Sequence, residues 1–176
     1  MQAAGAEGAL RIRVAIVSDT HVPRFAARFG AALARIAAEG PEIIVHCGDM
    51  TELSVVTALE AIAPVRAVAG NNDGPDIVAR FGRRTTISIA GALLGVVHGD
   101  GTSGTSLGRA LGAFAREPVD AIVFGHSHVP YCERHGGVLV LNPGSPTDKR
   151  RQPNFSFAMI EIAAGVCAPR LITFPP

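Results

Sequence analysis

Residues 11–21 read RIRVAIVSDTH. The first seven form a β-branched, apolar run of strand character, and it passes directly into Ser18, Asp19, Thr20 and His21. The same grammar recurs along the chain. EIIVHC (42–47) runs into Gly48-Asp49, VRAVA (65–69) into Gly70-Asn71-Asn72-Asp73, and LLGVV (93–97) into His98-Gly99-Asp100. AIVF (121–124) then meets Gly125-His126-Ser127-His128, and VLVL (138–141) meets Asn142-Pro143-Gly144-Ser145. Such residues commonly end strands and make turns. Turn chemistry does not explain why the opposite connections carry Gly-Pro or Glu-Pro instead. In α/β sheets the carboxyl ends of parallel strands share one edge, where ligands bind. Parallel pairing would therefore gather all six clusters in one place.

Helical stretches separate the early strands. FAARFGAALARIAAEG (25–40) puts Phe25, Phe29, Leu33 and Ile36 on one stripe, and Gly40-Pro41 stops it. Thr51 is the expected N-cap of a helix through Ile62, with Leu53, Val56 and Leu59 inward. A further helix carries Leu107, Leu111 and Phe114 and ends before Pro118. TTISIA (85–90) and LLGVV read as a hairpin around Gly91, and Gly136-Gly137 turns a second one into VLVL. NFSFAMIEI and VCAPRLITF close the chain as a third. The pattern predicts an α/β fold with more hairpin character in its second half.

Composition narrows the function classes. The 176 residues are 48% hydrophobic without a tryptophan, which predicts an aliphatic core. We expect one domain over 11–176, with the small, weakly patterned residues 1–10 a disordered tail. A formal net charge of +1 argues against a partner gripped by overall charge, so no nucleic acid is expected. Cys47, Cys132 and Cys167 have no CxxC spacing and read as reduced thiols. With no signal-peptide pattern and no run near the ~20 apolar residues of a membrane span, the expectation is a cytoplasmic protein without membrane contact.

FGHSHV (124–129) poses its own question, since residues two apart on an extended chain point to one side. His126 and His128 would then face one object together. The donors Asp19, His21, Asp49, Asn71, His98, His126 and His128 exceed what one tetrahedral zinc site uses. They suit two adjacent divalent ions bridged by a carboxylate and a water-derived oxygen. Mixed carboxylate, amide and imidazole donors favour manganese, iron, cobalt, nickel or zinc over magnesium or calcium. GDGTSG (99–104) matches GxGxxG, but Asp120 starts the next strand instead of ending it, against a dinucleotide site. No P-loop and no GxSxG elbow occurs.

The ordered set DTH, GD, GNND, HG and GHSH, followed by NPGSP, resembles the signature of the calcineurin-like metallophosphoesterases, and in its short length their small prokaryotic phosphodiesterase branch. The resemblance implies a four-layer αββα sandwich of two mixed sheets flanked by helices. It implies one metal on Asp19, His21, Asp49 and His128, and a second on Asp49, Asn71, His98 and His126, with Asp49 bridging. Manganese is the first expectation. The implied reaction is in-line attack on a small phosphate ester by a hydroxide shared between the ions. Family members also include protein-interaction scaffolds, such as the metallophosphoesterase-like subunit of retromer, and often form homodimers.

Two departures matter. Many relatives read Gly-Asn-His-Asp, where this chain has Asn72, an amide that can bond a phosphate oxygen but is no acid. That favours a diester over a monoester. Asp100 stands where relatives often have histidine and could orient a ligand imidazole, as Asp73 and His46 could from behind the loops. Arg24, Asn142 and Ser145 are read as substrate contacts, against the alternatives of a surface arginine and a structural turn. Lys149-Arg150-Arg151 either rim the cleft or form a solvated charge run.

Overall fold

The computed structural model describes residues 10–176, so the tail expected over residues 1–10 lies, apart from Leu10, outside the described residues. Ten strands and four helices follow in the order β1 (Arg11–Val17), α1 (Ala26–Ala38), β2 (Ile43–His46), α2 (Leu53–Glu60), β3 (Val65–Ala67), α3 (Pro75–Phe81), β4 (Arg84–Ile89), β5 (Ala92–Val97), α4 (Ser106–Ala113), β6 (Ala121–Val123), β7 (Tyr131–His135), β8 (Val138–Asn142), β9 (Phe155–Ala163) and β10 (Val166–Phe174). They make two five-stranded sheets, ordered β10-β9-β1-β2-β3 and β4-β5-β6-β8-β7. Each sheet has a parallel heart: β1, β2 and β3 in one, β5, β6 and β8 in the other. Antiparallel hairpins complete them, so both sheets are mixed.

Burial on both faces explains why the parallel strands read as near-continuous apolar runs. Along β1, Ala15 and Val17 face a helical layer with Phe29, Ala32 and Ile36 of α1 and Val55, Val56 and Leu59 of α2. Val14 and Ile16, one step out of phase, enter the layer between the sheets beside Leu94, Val123, Leu141 and Ile160. On the far side α4 packs Ala110, with Phe114 just past its end, onto Ile122 and Val140. The result is the expected αββα sandwich. Each fully buried aliphatic side chain in its central layer contributes about 1.5–3 kcal/mol.

All three hairpins turn on two residues with positive φ: Ala90-Gly91, Gly136-Gly137 and Ala164-Gly165. That is the two-residue geometry whose twist matches the strands. Pro169 is tolerated because β10 is an edge strand. The helices depart from expectation in detail. Thr51 does not cap α2; Glu52 holds that position, while Thr51 sits at φ +69° and its hydroxyl donates to the Val22 carbonyl. α3 was not anticipated, because seven residues with Ile77 as the buried one give no readable period. Among the described residues, no helix is long and apolar enough to cross a membrane.

Candidate metal centre

The parallel hearts of the two sheets end at the same rim, and their loops are stitched together there. The His126 N–H donates to Asp19 Oδ2 at 2.9 Å, and His98 Nδ1 lies 2.7 Å from the Cys47 carbonyl oxygen. Left-handed backbone is uncommon outside glycine, yet Asp19, His21, Asp49, His126 and His128 all adopt it. Residues are held this way where the surrounding fold over-determines them, typically at functional sites.

Two groups of donors result, each with its ligand atoms within 4.8 Å of one another: Asp19, His21 and His128, and Asp49, His98 and His126. Asn71 joins the second, its Oδ1 3.1 Å from His126 Nδ1. The groups adjoin, since His98 Nε2 is 3.3 Å from Asp49 Oδ2 and 3.8 Å from Asp19 Oδ1. His21 Nε2 lies 3.9 Å from an oxygen of each carboxylate. All seven predicted donors are therefore brought together. The expectation that His126 and His128 share one face of an extended strand is corrected, because β6 stops at Val123. Both histidines lie in left-handed loop conformation, and the loop sends them to different groups.

The centre is built to meet a cation. Asp19 Oδ1 and His98 Nε2 are buried without a hydrogen-bond partner, a costly arrangement unless something electropositive sits between them. The Cys47 carbonyl accepts a hydrogen bond from His98 Nδ1–H, and the Asp148 carbonyl, 2.6 Å away, accepts one from His128 Nδ1–H. Each contact occupies the Nδ1 side of the ring and turns Nε2 inward, the orientation metal-ligating histidines use. Burial works to raise the Asp19 carboxyl, but the His128 and His98 rings and the Ser18 hydroxyl bring it below its ordinary value. At Asp49 burial is likewise outweighed, by His98 and the Asn72 donors. Burial lowers His21, and burial with the charge of His98 lowers His126. His98 is the exception: burial would lower it, but Asp49 and Asp19 push it up to about 9. Two buried carboxylates thus face one imidazolium. Divalent ions fit this donor set, with neutral imidazoles, carboxylates and an amide at hand.

Glycines give the loops room. A Cβ on Gly70 would lie 2.2 Å from Asp49 Oδ1 and 2.7 Å from its backbone nitrogen. One on Gly125 would lie 1.9 Å from Ser18 Oγ and 2.6 Å from Asp19 Oδ2.

Behind the donors stands a second set of residues. Asp73 accepts from the N–H groups of Asp49 (2.8 Å), Gly70 (2.7 Å) and Thr51 (2.7 Å), which fixes the Gly-Asp turn. His46 is buried; its Nδ1 accepts from Gly48 N–H at 3.2 Å, which leaves Nε2 to donate to Thr20 Oγ1 at 3.1 Å. Burial lowers it to about 4, so it is a neutral brace. Asp100 makes no hydrogen bond to a ligand imidazole among the described residues and touches His126 through charge alone.

The expected substrate contacts fare differently. Asn142 and Ser145 are buried and their side chains are engaged within the fold, which fits the structural-turn alternative. Asn142 donates to the Gly125 carbonyl and Ser127 Oγ and accepts from Gly144 N–H. Ser145 donates to the Asp19 carbonyl and accepts from Thr147 and Asp148 N–H. Arg24 is exposed with its guanidinium over the Phe25 ring. Asn72 gives both its backbone N–H (2.9 Å) and its side-chain amide (2.7 Å) to Asp49, so it orients that carboxylate in this structure. Sequence reasoning missed Ser18, which donates to Asp19 Oδ2, and Thr147, whose hydroxyl donates to the Thr20 carbonyl. Thr147 had a signal, since it follows the sixth strand-end cluster. The carbonyls of Cys47 and Asp148 had none, because every residue carries one.

A sequence profile described as the calcineurin-like phosphoesterase superfamily domain matches residues 12–165. The chain belongs to that superfamily. It is 34% identical over 142 residues to a probable metallophosphoesterase of Methanothermobacter thermautotrophicus, covering 78% of each chain. A protein of Methanocaldococcus jannaschii named as a phosphodiesterase is 27% identical over 147 residues, 76% of this chain and 83% of that one. Among solved structures, vacuolar protein sorting 29 of Cryptosporidium parvum superposes with a TM-score of 0.76 at 19% identity, covering 94% of this chain and 99% of that one. This superfamily fold thus carries, in the present chain, two adjoining candidate metal-binding clusters.

Proposed function

We propose that the chain is a metal-dependent phosphodiesterase of the small prokaryotic type, holding two divalent ions, manganese first among them. The observation that carries this reading is the pair of adjoining donor groups with two buried, partnerless atoms, Asp19 Oδ1 and His98 Nε2, directed between them. Asp19, His21, Asp49 and His128 would hold one ion, and Asp49, Asn71, His98 and His126 the other. Divalent ions at such a site lower the pKa of water toward neutrality and offset the charge of the phosphate oxygens. The chain's own part is placement. Asp73 and Asn72 set the Asp49 carboxylate, and two backbone carbonyls fix the tautomers of His98 and His128.

Diester preference follows from position 72. An amide cannot protonate a leaving alkoxide, and here it is bonded to Asp49. Substrates that leave without help should react best. The test is a manganese-reconstituted assay with bis(p-nitrophenyl) phosphate and p-nitrophenyl phosphate, beside Asp49→Asn. We expect faster release from the diester, and a folded but inactive variant. Equal or faster turnover of the monoester, or full activity in Asp49→Asn, would overturn the reading. Several similar solved structures are of vacuolar protein sorting 29, one of them with zinc, which supplies a second reading: a metal-binding interaction protein. Tight manganese binding without turnover of any ester in a broad diester panel would favour it.

A further inference from the structure

Each sheet ends in two edge strands, and β3 of one sheet and β4 of the other border a common cavity of about 430 Å³ with Phe81 of α3. An edge presents free N–H and C=O groups, which proteins guard with short strands, prolines or charges. β10 carries Pro169 and Arg170, β7 carries Glu133 and Arg134, and β3 is only three residues long. β4, RTTISI, is the exception. Its one charged residue is turned away, since the Arg84 guanidinium donates to the Ala113 carbonyl and to Glu117. The turn at Ala90-Gly91 makes Ile89 and Ala92 the closing hydrogen-bonded pair, so Thr85, Ile87 and Ile89 engage β5 with their backbone. Arg84, Thr86 and Ser88 therefore direct their backbone groups outward, and all three residues are exposed. Among the described residues, that row meets only the Thr85 hydroxyl, 3.4 Å from the Thr86 carbonyl oxygen.

The opposite wall of the cavity holds a cation. Ile44 N–H donates to the Pro64 carbonyl and Val68 N–H to the His46 carbonyl, so Val65, out of phase, turns its carbonyl to the free side of β3. Arg66 Nη1 donates to that carbonyl at 3.3 Å, which sets the guanidinium on the free side, at the cavity Arg66 lines. Arg66 is exposed and has no carboxylate partner among the described residues. Arg80, on the same cavity, has Glu60 at 3.6 Å. We propose that β4 is the docking edge for an extended acidic segment of a partner protein, which adds a strand beside β4 and places a carboxylate opposite Arg66. Main-chain pairing supplies the affinity in such strand addition, and alternate side chains supply the specificity. Thr85 and Ile87, which line the cavity, give the incoming strand β-branched neighbours. A second copy of the chain fits the free row less well. Pairing β4 with its mate would bring Arg66 and Arg80 of both copies together, and like charges so placed repel.

Three short fluorescent peptides test this on the full, manganese-loaded chain: alternating valine and glutamate, alternating valine and lysine, and the glutamate peptide with every backbone nitrogen methylated. By anisotropy at low salt, the glutamate peptide should bind at least about tenfold more tightly than either of the others, and added salt should narrow its lead over the lysine peptide. Its binding should slow hydrogen exchange over residues 84–88. Thr86→Pro removes one outward N–H at a position where an edge strand tolerates proline, so it should abolish binding with the circular dichroism spectrum and manganese affinity unchanged. Arg66→Gln should erase the preference for glutamate over lysine, and it decides the matter with the methylated peptide even where Thr86→Pro does not fold. Equal affinity for the glutamate and lysine peptides, undiminished binding of the methylated one, or protection confined to other segments would overturn the proposal. A dimer in sedimentation that Thr86→Pro dissolves would also overturn it, in favour of self-pairing.

Discussion

Removing the Asp73 carboxylate tests whether the centre is held from behind. Its two oxygens accept three backbone N–H groups, from Asp49, Gly70 and Thr51, at 2.7–2.8 Å. Asp73→Ala orphans all three, two of them buried. An unsatisfied buried donor costs about 1–3 kcal/mol. Water entering the vacated space recovers part of that, so we expect a loss of about 3–5 kcal/mol against a total stability of about 5–15 kcal/mol. Urea unfolding of the chelator-treated protein measures it. Because the same bonds fix the Asp49 and Gly70 turns, manganese affinity should weaken by about tenfold to a hundredfold, as for outer-shell partners of metal ligands elsewhere. Asp100→Asn, at the rim and unbonded to the ligand imidazoles, is the matched control and should change stability by less than about 0.5 kcal/mol. An Asp73→Ala protein within about 1 kcal/mol of the parent, with manganese affinity intact, would refute the claim that this carboxylate sets the loops.

Three further results are expected. Gly70→Ala drives a methyl group into Asp49 Oδ1 at 2.2 Å and its nitrogen at 2.7 Å, so it should destabilise by about 1–3 kcal/mol and abolish turnover; Gly112→Ala, with open space around it near the exposed end of α4, should stabilise by about 0.5–1 kcal/mol. In the metal-free protein His98 is raised to about 9, so its contribution is complete below pH 6.5 and is lost as pH rises through 9. His46, lowered to about 4 by burial, contributes fully above pH 6.5 and progressively less below it. The urea midpoint should therefore be highest near pH 6.5–7, and one that stays flat from there to pH 9 would contradict the assignment for His98.

How much of this was legible in the chain depends on the range over which each residue acts. The strands before Ser18, Gly48, Gly70, His98, Gly125 and Asn142 were readable, because the parallel strands are buried on both faces and show it as apolar runs. The hairpins at Gly91 and Gly136-Gly137 were readable from turn chemistry. Helix α3 and the N-cap of α2 were not, the first for want of length, the second because Thr51 had been recruited into the Asp73 clamp. Asn142 and Ser145 looked like substrate contacts because polar residues after a strand are ambiguous until their partners are known; their partners are the Gly125 carbonyl and the Asp19 carbonyl, 17 and 126 residues away in sequence.

By itself the sequence determined which side chains can bind a cation and that each follows a strand, since both depend on residue type and local period. Residue type and local period do not say which donors share a group; the family resemblance implied the division, and the packing of the loops produces it. His126 and His128 part company because the chain leaves β6 at Val123 and passes through left-handed backbone. Their tautomers depend on carbonyls and amides brought from distant loops, Asp148 for one and Asn71 for the other. Backbone carbonyls are identical at every position, so only the packing of two sheets rim to rim can say which of them a histidine meets.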